Sequence, residues 1–228
     1  MNPCIKRIIL DIADLQKDPI DNIHYYANEE NIMNGYALII GPENTPYQYG
    51  NYMFSFEFPL EFPFKPPSVT FLSNDGETRF NPNFYRSGKV CLSILNTWRG
   101  EEWSACQSIR SILIILQMTM NENPLLNEPG VEIEKHKNCI IRYNYIIEYK
   151  NIEMNILRYI CDPKKIPLQN EGLIKDIEDY FIKNRKKIKV IIENNLIQHY
   201  NDSILQLHIF SLRTKLNYNK LLDQINLI

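Results

Sequence analysis

Residues 41–95 read "GPENTPYQYGNYMFSFEFPLEFPFKPPSVTFLSNDGETRFNPNFYRSGKVCLSIL", and the order of patterns within this stretch decides the fold. Tyr52, Phe54, Phe56 and Phe58 recur at every second position, the period at which strand side chains share a face, so 52–58 predicts a strand with an aromatic inner surface. Pro59, Pro63, Pro66 and Pro67 follow. Proline has no N–H to donate to a sheet ladder, which makes "FPLEFPFKPP" a rigid, extended connection. Residues 69–72 resume a strand pattern. Beyond residue 79 the periodicity is lost, and Cys91 sits just behind a loop crowded with Asn, Pro, Ser and Gly.

Working outward, Ile5, Ile8, Ile9, Ile12 and Leu15 recur at helical spacing over 3–17, and Asp18-Pro19 ends that amphipathic helix. Two further aromatic and branched runs, 23–27 and 36–40, precede the first quoted strand, with turn-forming residues between them. Together they predict a four-stranded antiparallel meander. Residues 107–120 ("QSIRSILIILQMTM") predict a helix buried on most of its surface and stopped by Asn123-Pro124. Past Gly130 the pattern is nearly continuous helix over 131–160, broken by "CDPKKIPLQNEG" and resumed with weaker order over 173–228. The expectation is an α+β core over 1–160 and a helical C-terminal extension over 161–228. That extension is expected to select partners and to be dispensable for folding of the core. The basic run "KNRKKIKV" within it reads as a solvated helix face.

Composition narrows the chemistry. Of 228 residues, 44% are hydrophobic, enough for a substantial core. Lys+Arg is 25 against Asp+Glu 27, so the net charge of -2 gives no general reason to expect nucleic acid or an anionic membrane as partner. No run approaches bilayer length and no leader pattern opens the chain, which predicts a soluble intracellular protein, cytoplasmic or nuclear. The cysteines Cys4, Cys91, Cys106, Cys139 and Cys161 are odd in number, far apart and free of C-x-x-C pairs, so reduced thiols are expected rather than disulfides or zinc. Cys106, Cys139 and Cys161 fall on helical patterns and are expected to be buried, and Trp98 and Trp103 to pack. There is no phosphate-cradling Gly-rich loop, H-E-x-x-H or G-x-S-x-G. The four histidines, His24, His136, His199 and His208, form no local signature with a cysteine, which counts against a cysteine hydrolase.

Cys91 differs from the other thiols in its surroundings. It follows "SGK", whose Gly88 permits a positive-φ turn, and precedes "LSIL", whose Leu92 and Leu95 anchor the segment to the core. Eight residues upstream stands Asn83, whose amide could donate to an oxygen acquiring negative charge. The plainer reading of Asn83 is a turn-stabilising residue.

These residues resemble the ubiquitin-conjugating enzyme family over about 3–150. "GPENTPYQYG" is similar to its G-P-x-x-x-P-Y-x-x-G turn and "FPFKPP" to its proline loop. "NPN" stands where the family has His-Pro-Asn, and Cys91 lies at the family's distance from Asn83. The resemblance implies the UBC fold, with Cys91 accepting ubiquitin or a related modifier as a thioester from an activating enzyme. Cys91 would then yield it to a lysine or to a ligase cysteine. No cofactor is implied, since ATP is used by the activating enzyme. Asn83 matches the oxyanion donor, and Asn127 and Glu128 fall where the family has residues that orient the incoming amine. Lys6, Arg7, Phe64 and Ala105 match positions facing the activating enzyme and a RING or HECT ligase. For Phe64 and Lys6 a half-buried aromatic and a solvated charge remain equal readings.

Three departures stand out: Asn81 in place of the motif His, the longer "NTWRGEE" with Ala105-Cys106 where many members have Pro-Ala, and the long tail. The last resembles the larger, C-terminally extended members. The rival reading is a catalytically inactive UBC-fold protein that binds ubiquitin or serves as a scaffold.

Overall fold

The computed structural model describes residues 2–198 and 203–228, so His199 lies outside the described residues. Helix α1 (Pro3–Lys17) starts with Pro3 at its first position, where the missing N–H costs nothing, and the Asn2 side chain accepts the Cys4 N–H at 2.9 Å. Strands β1 (Ile23–Ala27), β2 (Asn34–Ile40), β3 (Asn51–Glu57) and β4 (Ser68–Phe71) form one antiparallel sheet in sequence order. The aromatic alternation has the predicted consequence. Tyr52, Phe54 and Phe56 face one side with Ala37, Ile39 and Phe71, and this face is closed by α1, α2 (Ile109–Thr119) and α3 (Ile133–Lys150).

The other face of the sheet carries Leu38, Ile40 and Met53, each buried, and what buries them is the tail. Helix α3 runs through a π-helical stretch, Asn151–Leu157, into the short α4 (Arg158–Cys161). Asn155's carbonyl accepts from Asn51 Nδ2 at 2.8 Å, and Asn151 Oδ1 accepts from the Tyr52 hydroxyl at 2.7 Å, so the wide turn meets buried polar groups on β3. Gly50 makes this approach possible, because a Cβ there would lie 1.8 Å from Asn151 Oδ1. Helix α5 (Glu171–Gln198) then lays Leu173 and Ile177 over Leu38, Ile40 and Met53. Farther along, Phe181, Ile188 and Ile192 meet Tyr218, Leu221 and Ile225 of α6 (Tyr218–Leu227).

The tail differs from the expected run of helix. Between α5 and α6 lies a hairpin of β5 (Ile204–Leu207) and β6 (Leu212–Lys215). In "ILQLHIFSLRTKL" the buried positions Leu212, Thr214 and Leu216 fit a period of two, as do the partly buried Leu205 and buried Leu207 on the other strand, and Leu207 and Leu212 join the main core. The described part of the tail is therefore packed into the fold: α5 covers one face of the sheet, and the hairpin joins the main core beside α3.

Candidate active site

The spacing of Asn83 and Cys91 has a geometric cause. The chain leaves Asn83, turns at Gly88 and returns antiparallel, with Phe84 opposite Val90. Tyr85 N–H donates to Lys89 O at 2.9 Å and Gly88 N–H to Tyr85 O at 2.9 Å. Gly88 has φ +88°, and a Cβ there would lie 2.9 Å from Thr70 Cγ2 and 3.0 Å from Phe71 O, so the turn requires glycine. Eight residues on, Cys91 lies directly across from Asn83. Its N–H donates to Asn83 O at 2.9 Å, and Asn83 Nδ2 donates to Cys91 O at 2.7 Å. Cys91 is only 3% exposed, held between buried Val90 and Leu92.

Asn81, at the position of the motif His, holds the loop with its own amide. It is fully buried, and its Nδ2 donates to the Tyr47 hydroxyl and to Thr119 O, both at 2.8 Å. Its Oδ1 accepts the Asn83 N–H at 2.9 Å and, more weakly, Asn127 Nδ2 at 3.5 Å. Tyr47 donates onward to Phe80 O at 2.8 Å, and burial keeps its phenol well above the usual tyrosine range and hence protonated. The "GPENTPYQYG" turn and the Asn-Pro-Asn loop are thus parts of one buried network. Asn127 belongs to that brace: its Nδ2 donates to Thr119 O at 2.9 Å and its Oδ1 accepts from Asn121 at 3.2 Å. Glu128 is half-buried near Tyr143, whose phenol is raised by burial first, with the Glu128 charge a smaller contributor.

Arg79 was not singled out by the sequence. Its Nε donates to Asn81 O at 3.1 Å and its Nη2 to Pro82 O at 2.6 Å. The guanidinium stacks 3.3 Å from the centroid of Tyr85. A usable signal existed: the turning backbone of an Asn-Pro-Asn loop leaves carbonyls without ladder partners, and a five-donor fork two residues upstream can take them.

Of the partner-facing candidates, Arg7 is committed inside the molecule. It pairs with Asp11 at 2.8 Å, donates to Ala105 O at 2.8 Å and to Gln107 O, and lies 5.8 Å over the Phe62 ring. Asp11 in turn accepts the Ile109 N–H at 3.0 Å at the start of α2. Trp103 Nε1 donates to Pro63 O at 2.6 Å. These contacts gather α1, the proline loop and the half-buried Ala105 at one end, where Lys6 is exposed and Phe64 is 79% exposed. Phe64 is therefore not the half-buried aromatic of the plainer reading.

Several expectations are corrected. Cys106 and Cys161 are exposed and Cys139 half-buried, because Cys106 lies in a turn before α2 and Cys161 at the free end of α4. Trp98 is 50% exposed on the "NTWRGEE" segment, while Trp103 packs as expected. His24 Nδ1 lies 2.9 Å from Asp176 Oδ2 on α5, and His136 bonds within its own turn to Glu132, so both are engaged away from the thiol. Among the described residues, no group of three His, Cys, Asp or Glu could hold a metal ion, and no helix is long and apolar enough to cross a membrane.

A four-stranded meander backed by helices, with a cysteine paired across a glycine turn to an asparagine, is the arrangement of the ubiquitin-conjugating enzymes. Residues 7–147 match the family described as ubiquitin-conjugating enzyme, and the chain belongs to it. Among its relatives, "Ubiquitin-conjugating enzyme E2 Z" of Xenopus tropicalis is 43% identical over 156 residues, covering 68% of this chain and 50% of the relative. The protein of the same name from Homo sapiens is 43% identical over 160 residues, covering 70% of this chain and 44% of its own. "Probable ubiquitin-conjugating enzyme E2 23" of Arabidopsis thaliana is 37% identical over 184 residues, covering 75% of this chain and 16% of its own. The chain thus spans half or less of the length of these relatives.

Proposed function

We propose that the protein accepts ubiquitin or a ubiquitin-like modifier on Cys91 as a thioester and passes it to a substrate lysine or a ligase cysteine. In the first step the Cys91 sulfur attacks the carbonyl of the modifier's thioester on the activating enzyme, and that enzyme's thiol leaves. One carbon–sulfur bond replaces another, so the exchange is nearly isoenergetic and asks for no strong base. In the second step a neutral lysine amine attacks the same carbonyl, and the oxyanion formed collapses to an amide as the Cys91 thiolate leaves and the nitrogen gives up one proton to solvent.

The observation that carries this reading is the two-bond pairing of Cys91 with Asn83. An amide NH₂ has two hydrogens. One holds the Cys91 carbonyl, which fixes the orientation of the other for a developing oxyanion. Aminolysis then finds its donor preorganised, which is the condition under which such donors lower barriers. In the inactive, scaffold reading the loop without its His has no need of order. The full satisfaction of Asn81 favours the active one.

Glu128 is the group on hand to orient an incoming lysine amine. Phe64, with Lys6 and Ala105, is the surface offered to the activating enzyme and to a RING or HECT ligase. No cofactor enters either step, and the reaction belongs to the cytoplasm or nucleus. The test is incubation with activating enzyme, ATP and ubiquitin or another modifier. A reductant-sensitive adduct is expected, and Cys91→Ser should convert it to a reductant-stable oxyester. An adduct unchanged in that variant would overturn the assignment.

A further inference from the structure

The tip of the tail hairpin reaches the loop that carries Asn83. Between β5 and β6 the chain turns through residues 208–211, and Phe210 and Ser211 hold φ +62° and +49°, a left-handed conformation that side-chain-bearing residues seldom adopt. Leu207 and Leu212, on either side, are buried in the main core, so the tip is pinned at both ends. Phe210 lies 5.2 Å from the Arg79 guanidinium and 6.1 Å from the Tyr143 ring. Its carbonyl accepts from Arg86 Nη2. Tyr85 is stacked on the same guanidinium at 3.3 Å. The Tyr143 hydroxyl donates to Arg79 O at 2.7 Å, which ties the backbone of that residue to α3.

We propose that Phe210 is a positioning residue for the oxyanion loop: as a second aromatic partner of Arg79 beside Tyr85, it holds the guanidinium fork on the carbonyls of Asn81 and Pro82, and so fixes where the Asn83 amide points. The inference rests on the reading of Cys91 and Asn83 given above. It assigns the tail a part in the transfer step itself, beyond any part in choosing partners.

The physical reasoning is specific to an aromatic ring and to arginine. Arg79 makes one bond to each of two successive carbonyls, at 3.1 and 2.6 Å, and only a planar fork spans both. A guanidinium with free rotamers would spend part of its time away from them. Contact with aromatic rings restricts those rotamers while leaving the N–H groups in the guanidinium plane free to donate. Asn83 follows Pro82 directly and shares its backbone with these carbonyls, so a shift of the loop moves the amide. Positioning errors of this kind are felt in the chemical step even when they arise far from the reacting atoms.

The alternative is that Phe210 merely covers apolar surface, and two substitutions separate the readings. Phe210→Leu keeps apolar burial and loses the π face. Phe210→Tyr keeps both. In the full chain charged with ubiquitin, single-turnover discharge to free lysine should slow about five- to tenfold in Phe210→Leu, the rate equivalent of one lost cation–π contact. Phe210→Tyr should restore it. Arg79→Lys should match Phe210→Leu, and the double variant should be no slower than either alone. Loading from the activating enzyme should change less, and the melting temperature by no more than a few degrees.

Amide hydrogen exchange on the uncharged chain supplies a readout that needs no activity, with faster exchange expected over 79–85 in Phe210→Leu and normal exchange in Phe210→Tyr. Unaltered discharge and exchange in Phe210→Leu would overturn the proposal. So would a uniform loss of loading, discharge and melting temperature that tyrosine fails to rescue. A chain that no activating enzyme can charge would overturn the thioester reading and with it the catalytic role of the tip. The exchange data would still decide whether the tip orders the loop.

Discussion

Replacing Asn81 by alanine tests whether an amide has taken over the bracing duty of the motif histidine. Three short hydrogen bonds disappear: two from Nδ2, to Tyr47 and Thr119 at 2.8 Å, and one from the Asn83 N–H at 2.9 Å. Their losses are unequal. Thr119 O keeps the bond from Asn127 at 2.9 Å, and Tyr47 still donates to Phe80 O, so neither is orphaned. The Asn83 N–H loses its acceptor beside a fully buried position, and an unsatisfied buried donor costs about 1–3 kcal/mol. The emptied side-chain volume adds about 1 kcal/mol, as for other small core truncations. The sum is about 3 kcal/mol, or a fall in melting temperature of about 6–12 °C for a chain of this size. Denaturant unfolding should show a lower midpoint at an unchanged slope, because the surface exposed on unfolding stays the same. Discharge to lysine should fall more than loading, since Asn83 loses its backbone anchor. A destabilisation under about 1 kcal/mol with normal discharge would refute the brace.

Three further outcomes are expected. Ending the chain at Cys161 removes α5, the hairpin and α6, and bares Leu38, Ile40 and Met53 on the second face of the sheet. The shortened protein should bind ANS, lose near-UV dichroism or aggregate, whereas a well-folded soluble core would contradict the packing described. Phe64→Ala removes a ring that is 79% exposed, so the melting temperature should hold within a degree or two. Ligase-stimulated discharge should drop at least tenfold and lysine discharge without ligase should not; equal loss in both assays would argue against a partner role. Burial raises the pKa of the Glu148 carboxyl despite a hydrogen bond with Asn195. A carboxyl with a folded pKa above its unfolded value stabilises the fold only while protonated, and that contribution is lost as pH rises through the folded pKa. Glu148→Gln should therefore melt higher than the parent at neutral pH, with the gain fading towards pH 4, and a gain independent of pH would contradict the assignment.

How much of this was legible beforehand can be argued residue by residue. The aromatic alternation of β3, the Pro3 start of α1 and the Asn123-Pro124 stop after α2 are local signals, and the elements they predict lie where expected. The eight-residue interval between Asn83 and Cys91 was readable as a motif. Its cause, a hairpin turning at Gly88 against Thr70 and Phe71, was not, because the clash that forbids a Cβ there comes from another strand. The β5–β6 hairpin occupies a stretch whose pattern reads as weakly ordered helix. Its strands are only four residues each, too short for a period of two to stand out from a run of leucines and isoleucines.

What the sequence determined alone is therefore whatever depends on neighbours along the chain: strand and helix periods, proline breaks, turn chemistry and the family motifs. Contacts between residues far apart in the chain were decided only by the tertiary structure. Arg7 matches a partner-facing position by resemblance, and in the fold it bonds to Ala105, 98 residues away. Asn81 looked like a lost histidine, and its compensation comes from Tyr47 and Thr119 on separate elements. The tail looked separable, yet it covers one face of the sheet and reaches Arg79 beside the site. The physical reason is the same in each case. A buried polar group or an apolar face must find its partner somewhere, and chain periodicity says that a partner is needed without saying which distant residue will supply it.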